Sequence, residues 1–184
     1  MKIFVKATIM QTNLDELLPL AEWVKNEGLD GLSLSPLEET FATATPNARW
    51  FESSPLWVRD LQKLDAVIDR LKELTGTRGP IFNSQAHLES MKDYFRDPTI
   101  PTPPDFKCHV GQDHFRVGVN GDVVMCPFMG SIGNLTKSEP WEIWKSEDAK
   151  DRRGDILGCR KKCLIACLYK RNLGEYAGIL RKLV

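Results

Sequence analysis

The sequence predicts an α/β chain in two parts: a partial, half-closed parallel βα barrel, followed by a small α+β domain organised around a β-hairpin. Three observations predict it. The first hundred residues alternate strand and helix patterns three times. A twelve-residue stretch, RDPTIPTPPDFK (96–107), then carries four prolines. All five cysteines lie beyond that stretch.

The strand KIFVKATIM (2–10) is apolar and β-branched. In NLDELLPLAEWVKNEG (13–28), Asn13 followed by Glu16 has the spacing of a capping box. Leu14, Leu17, Leu18, Ala21 and Val24 recur at helical spacing, and Gly28 supplies a stop. Pro19 removes a helical N–H and is expected to bend this helix. LDGLSLSP (29–36) reads as a second strand. Residues 37–54 show no period, and a loop of that length is usually functional or mobile. The next helix buries Leu61, Leu64, Ile68 and Leu71 on one face, with Gly76 beyond its end. PIFNS (80–84) reads as a short buried strand, after which Ser84 caps a helix lined by Leu88, Met91 and Phe95. Strands separated by helices pair in parallel through right-handed crossovers. Three such units do not close a barrel; they make a half-barrel or an open three-stranded sheet, whose exposed edge points to a missing N-terminal half, a dimer or poor solubility.

The expected domains are therefore 1–97 for the βα units, 98–107 for a stiff proline-rich linker, and 108–184 for the second domain. In the latter, FRVGVNGDVVMC is two β runs around Asn120-Gly121, a strong hairpin signal. SEPWEIWKSEDAKDRRGDIL (138–157) reads as helical, and a last helical stretch runs from Leu173 to Leu183.

The composition, 42% apolar and 27% charged, is that of a soluble globular chain. No eighteen-residue apolar run offers a transmembrane helix, so no membrane role is expected. The N-terminus lacks a secretory pattern, which points to a reducing cytoplasm, where clustered thiols hold metals more often than they form disulfides. The net charge is zero, yet residues 150–184 hold ten Lys/Arg against three Asp/Glu. No nucleic-acid motif accompanies this basic tail, so a solvated face is the expected account.

Cys108 and Cys126 flank the hairpin, whose turn can bring the two thiols together. Cys159, Cys163 and Cys167 form a C-x3-C-x3-C group. A helix there would put all three on one face; a loop would let any two converge. The hairpin pair plus two of the late group makes four soft thiolates, which suit zinc or an iron–sulfur cluster. Zinc sites favour C-x2-C knuckles, which this pattern lacks.

Twelve residues separate Cys108 from Gly121 and four separate Gly121 from Cys126. This opening resembles that of the SPASM and twitch domains, the auxiliary-cluster extensions of radical SAM enzymes. NGDVVMCPF, then GNL (133–135), EIWKSEDAKDRR and a late cysteine group are also similar. TIMQTN and PIFNSQAHLESMKDYFRDP resemble the second half of the radical SAM partial barrel. The resemblance implies an auxiliary 4Fe-4S cluster, of the smaller twitch type, with Cys108 and Cys126 as hairpin ligands and two or three of Cys159, Cys163 and Cys167 completing the set. The cluster would transfer electrons or position substrate, giving the chain the character of an oxidoreductase. S-adenosyl-L-methionine would bind only in an intact full-length enzyme, because the C-x3-C-x2-C motif of the cleaving cluster is absent from this sequence. This chain is expected not to cleave S-adenosylmethionine alone. The intact enzyme would act on a small molecule or peptide and take electrons from a protein such as flavodoxin or ferredoxin. The alternative is a zinc-stabilised module whose basic tail grips RNA or an acidic partner.

Other residues have two readings each. His109 and His114 could replace a thiolate, or lie on the hairpin surface. Thr8, Asn13, Ser35, Asn83 and Ser84 fall at the C-terminal ends of the strands, the rim that carries active sites in parallel barrels. Asn13 and Ser84 are equally helix caps. Trp50, Phe51 and Trp57 could line a cleft or pack. Lys161 and Lys162 could raise a cluster's potential or face solvent.

Overall fold

A computed structural model describes residues 1–38, 49–76, 79–103, 108–113 and 115–164. The chain divides into two compact units, Met1–Ile100 together with Lys162–Val184, and Pro101–Lys161. The second unit is thus inserted in the chain of the first.

The first unit opens with strand β1 (Phe4–Ile9), a 3-10 helix (Gln11–Glu16) and helix α1 (Leu17–Asn26). Asn13 is not the cap expected of it. It sits inside the 3-10 helix and reaches back, accepting from the Met10 N–H (2.9 Å) and donating to the Thr8 carbonyl (2.8 Å). Pro19 does not bend the helix interior either, because α1 begins only at Leu17. In the first turn a helical N–H has no intrahelical partner to lose. Gly28 ends the helix at φ +65°, while Leu29 N–H reaches the Val24 carbonyl (3.0 Å) and Gly28 N–H that of Lys25 (3.2 Å). This pair of bonds satisfies the last carbonyls and needs a left-handed residue, which favours glycine.

Strand β2 (Gly31–Pro36) runs parallel to β1, with Phe4 opposite Gly31 and Ile9 opposite Pro36. Its first four residues are all buried, as expected of a strand covered on both faces. The third expected strand is reduced to a single parallel bridge between Leu32 and Ile81. Two features truncate it. Pro80 has no N–H to give. Beyond the bridge the Asn83 side chain, not the backbone, pairs with Leu34, accepting from its N–H (2.7 Å) and donating to its carbonyl (2.8 Å). The described residues thus hold a two-stranded parallel sheet with one added bridge.

A short helix α2 (Trp50–Ser53) precedes α3 (Leu61–Glu73) and α4 (Gln85–Arg96). Asp60 and Ser84 cap the two long helices by accepting from Lys63 N–H (2.9 Å) and His87 N–H (3.1 Å). Their apolar faces, Leu64, Ile68 and Leu71 on α3 and Leu88, Met91 and Phe95 on α4, bury against the sheet core. Ion pairs join the helices at Lys92–Asp69 (2.6 Å) and Arg96–Asp65 (2.6 Å). Trp57 is 3% exposed, with Trp50, Phe51, Tyr94 and Phe95 rings around it at 4.9–5.6 Å, so this aromatic group packs the core. Most of the unperiodic stretch 37–54 lies outside the described residues.

The second unit holds helix α5 (Val110–Asp113), strands β3 (Arg116–Val117), β4 (Asp122–Val124) and β5 (Gly133–Asn134), and helices α6 (Pro140–Lys145) and α7 (Glu147–Gly158). The strands form one antiparallel sheet in chain order. The hairpin forms, but its turn is centred one residue earlier than expected. Gly121 N–H bonds the Gly118 carbonyl (3.0 Å), so Val119 and Asn120 are the central pair, and Gly121 follows at φ +82°. This is a type I turn relieved by a left-handed glycine, which lets the strands keep their twist. Asn134 braces it, donating to the Asn120 carbonyl (2.9 Å) and to Asp122 (2.8 Å), and accepting from Thr136 N–H (2.8 Å). The single helix expected over 138–157 is two. Ser146 is extended at φ −59°, ψ 161° and caps α7 through Ala149 N–H (3.2 Å). No described helix is long and apolar enough to cross a membrane.

Candidate metal centre

Three thiols of the second unit come from three different elements. Cys108 stands two residues before α5, whose Gly111 packs so closely on α7 that a Cβ there would stand 3.0 Å from Ile156 Cδ1. Arg153 of α7 ties this contact, donating to the Gly111 carbonyl (2.9 Å) and to the Trp144 carbonyl (2.8 Å) while lying 4.3 Å over the Trp144 ring. Cys126 follows β4 immediately after the buried Met125. Cys159 is the C-cap of α7, where the backbone turns extended at φ −66°, ψ 133°. Hairpin, α5 and α7 each deliver one cysteine because the sheet and the Arg153 bonds hold those elements in register.

Cys108, Cys126 and Cys159 all belong to the second unit. The Cys126 thiol is pushed above the ordinary cysteine range, first by burial, then by the neighbouring charges of Cys159 and Cys108. The Phe128 N–H and the Arg116 cation act the other way, favouring thiolate. A partly buried thiol near other thiols resists the thiolate form unless a cation binds it. That is the donor chemistry of a soft metal or iron–sulfur centre. None of Cys108, Cys126, Cys159 and Cys163 is in a disulfide, and each is half-buried. Among the described residues, no three Cys, His, Asp or Glu side chains are gathered tightly enough for a single metal ion.

The late cysteines do not share a helix face over the described stretch. Helix α7 ends at Gly158, and residues 159–164 are neither helix nor strand. Cys163 belongs to the first unit. There its charge, with burial and Glu38, holds the Tyr94 phenol well above the usual tyrosine range; burial is the largest cause. Cys167 and His114 lie outside the described residues. His109 has a buried Nε2 without a hydrogen-bond partner, beside Cys108. Lys161 lies 4.5 Å over the Phe128 ring in the second unit. Lys162, in the first, helps hold Asp97 below the usual carboxylate range, behind the larger effect of the Thr99 hydrogen bonds. Of the rim residues, Asn13 and Ser84 serve helix starts, and Asn83 pairs with Leu34.

His87, Tyr94 and Glu38 were not singled out by sequence reasoning. A signal existed for two of them. His87, Met91 and Tyr94 fall at i, i+4 and i+7 of α4, so a histidine and a phenol occupy its buried stripe.

A family model, an iron–sulfur cluster-binding domain named SPASM, matches residues 108–168. Curated proteins and solved structures give no match. The matched span begins at Cys108 and contains Cys126, Cys159, Cys163 and Cys167. Residues 108–168 therefore carry a SPASM-type iron–sulfur cluster-binding domain.

Proposed function

We propose that this chain is the C-terminal part of a radical SAM enzyme, and that Cys108, Cys126 and Cys159 hold an auxiliary 4Fe-4S cluster with Cys163 or Cys167 as a further ligand. One observation carries the reading. Cys126 is a half-buried thiol that shares one compact unit with Cys108 and Cys159, inside the span matched by a cluster-binding domain. The donor type suits the group: thiolates are the ligands of iron–sulfur clusters, and Cys108, Cys126 and Cys159 all lie in the matched span.

When bound, such a cluster supplies one-electron transfer or a coordination site for substrate. The chain's own groups prepare it. Arg116 offsets thiolate charge at Cys126, and the Phe128 N–H donates to its sulfur. The parallel β1–β2 sheet of the first unit supports a barrel-derived substrate region, and a small molecule or peptide is the proposed substrate class. S-adenosylmethionine cleavage is assigned outside these 184 residues, which lack its cysteine motif. A reducing protein such as a flavodoxin or ferredoxin, and a cytoplasmic setting, complete the proposal.

The test is anaerobic purification with iron, sulfide and zinc assays and paramagnetic resonance. About four irons and four sulfides per chain are expected, lost in Cys108→Ala, Cys126→Ala and Cys159→Ala. One zinc with no sulfide would overturn the proposal and favour a zinc-stabilised binding module.

A further inference from the structure

The most buried polar side chains of the first unit form a continuous chain of hydrogen bonds that ends beside a cysteine. Asn83 is 3% exposed and His87 1%. Asn83 accepts from Leu34 N–H through Oδ1 and donates to the Leu34 carbonyl through Nδ2, which fixes which end of the amide is which. Nδ2 also faces His87 Nδ1 at 3.1 Å. An amide nitrogen only donates, so Nδ1 accepts and the ring proton sits on Nε2. That nitrogen lies 2.9 Å from the Leu164 carbonyl and donates to it. Leu164 is 5% exposed, sits in the first unit's core, and is the next residue after Cys163.

Residues 159–164 form no helix or strand, so regular backbone pairing does not set the direction of this segment. The Leu164 side chain and the His87 bond hold its end. We propose that Asn83 and His87 are positioning residues for the late cysteine group, locking the Cys163–Leu164 backbone onto the parallel sheet so that Cys163 is presented in one orientation. Its consequence for a cluster rests on the reading above; the anchor itself does not.

Two readouts keep the two apart. In metal-free full-length chain, alkylation at Cys163, mapped by peptide mass spectrometry, is expected to quicken about tenfold in His87→Leu, since a buried carbonyl loses its donor. His87→Gln can donate and accept at the same places and is expected to stay within about threefold of the parent. An unchanged rate in His87→Leu, with circular dichroism retained, would overturn the anchor. After anaerobic reconstitution, His87→Leu is expected to lose iron and to alter the resonance spectrum, with His87→Gln restoring both. A released Cys163 with unchanged iron content and spectrum would overturn the link to the cluster. Should His87→Leu fail to fold, nitrogen-labelled histidine in the parent chain decides. A slowly exchanging proton on Nε2 of His87 supports the anchor, and a proton on Nδ1 refutes it. Absence of any iron–sulfur centre would sink the function proposed above yet leave the alkylation and ring-proton results standing.

Discussion

Replacing Gly121 by alanine tests whether the hairpin is what delivers Cys126. The residue sits at φ +82°, where a side chain costs about 1–2 kcal/mol. A Cβ there would stand 2.9 Å from Asn134 Oδ1 and 3.1 Å from Thr136 Cγ2. Asn134 has to move, and one or two of its hydrogen bonds to Asn120, Asp122 and Thr136 go with it, at about 1 kcal/mol each. The sum is about 2–4 kcal/mol against the second unit. The matched control is Gly118→Ala, where the nearest neighbour of a new Cβ is an ordinary 3.6 Å away. Gly118 is in the same turn but not at positive φ, so its substitution should cost less than about 0.5 kcal/mol. Amide hydrogen exchange at Val123 and Val124 reads the difference locally. Exchange should accelerate roughly thirty- to several-hundred-fold in Gly121→Ala and less than about threefold in Gly118→Ala. Equal protection in the two variants would refute the claim that the turn geometry holds β4 and its cysteine in place.

Burial, with smaller effects of neighbouring thiols, raises the Cys126 pKa, so iron uptake, which needs thiolate, should slow as pH falls, starting from a higher pH than an ordinary thiol would give; uptake independent of pH would contradict this. Arg153→Ala removes bonds to the Gly111 and Trp144 carbonyls and should lower second-unit stability by about 2–4 kcal/mol in urea titrations. Arg153→Lys should recover less than half, since lysine cannot span both carbonyls. Tyr94 has its folded pKa raised above the unfolded value, chiefly by burial. The neutral phenol therefore contributes stability that is present below about pH 10 and lost as pH rises beyond it. Denaturation midpoints of parent and Tyr94→Phe, compared from pH 8 to about pH 11, should converge at the alkaline end; parallel curves would show the phenol unperturbed.

Much of the helical half was legible because its signals are local. The α3 and α4 stripes and the Ser84 cap depend on residues three or four positions apart. What failed depends on distant partners or on small geometric choices. PIFNS has strand composition, but Asn83 spends its side chain on Leu34, and nothing within five residues announces that pairing. Pro19 reads as a breaker until the 3-10 turn before it moves the start of α1 to Leu17. Asn120-Gly121 marked the hairpin but not the register of its turn. At the site, cysteine spacing pointed to a centre and to its family type, and the match to residues 108–168 supports that. Spacing could not show that Cys159 falls in the second unit and Cys163 in the first. Nor could it show His87 reaching a carbonyl 77 positions away.

The insertion of one unit within the other has a consequence for how the chain comes to fold. Leu164 is a core residue of the first unit, yet it is made after the whole of the second. A nascent chain therefore exposes residues 1–100 of the first unit before Leu164, which packs in their core, has been made. The base of the inserted unit is closed by Thr102 N–H to the Arg160 carbonyl (2.9 Å) and by Arg160 to the Pro103 carbonyl (2.7 Å). Once those bonds form, the loop that the His87–Leu164 contact must close falls from 77 residues to roughly twenty, lowering its entropic cost by about 1 kcal/mol. Assembly is thereby ordered, with the inserted unit forming first and the surrounding one locking last.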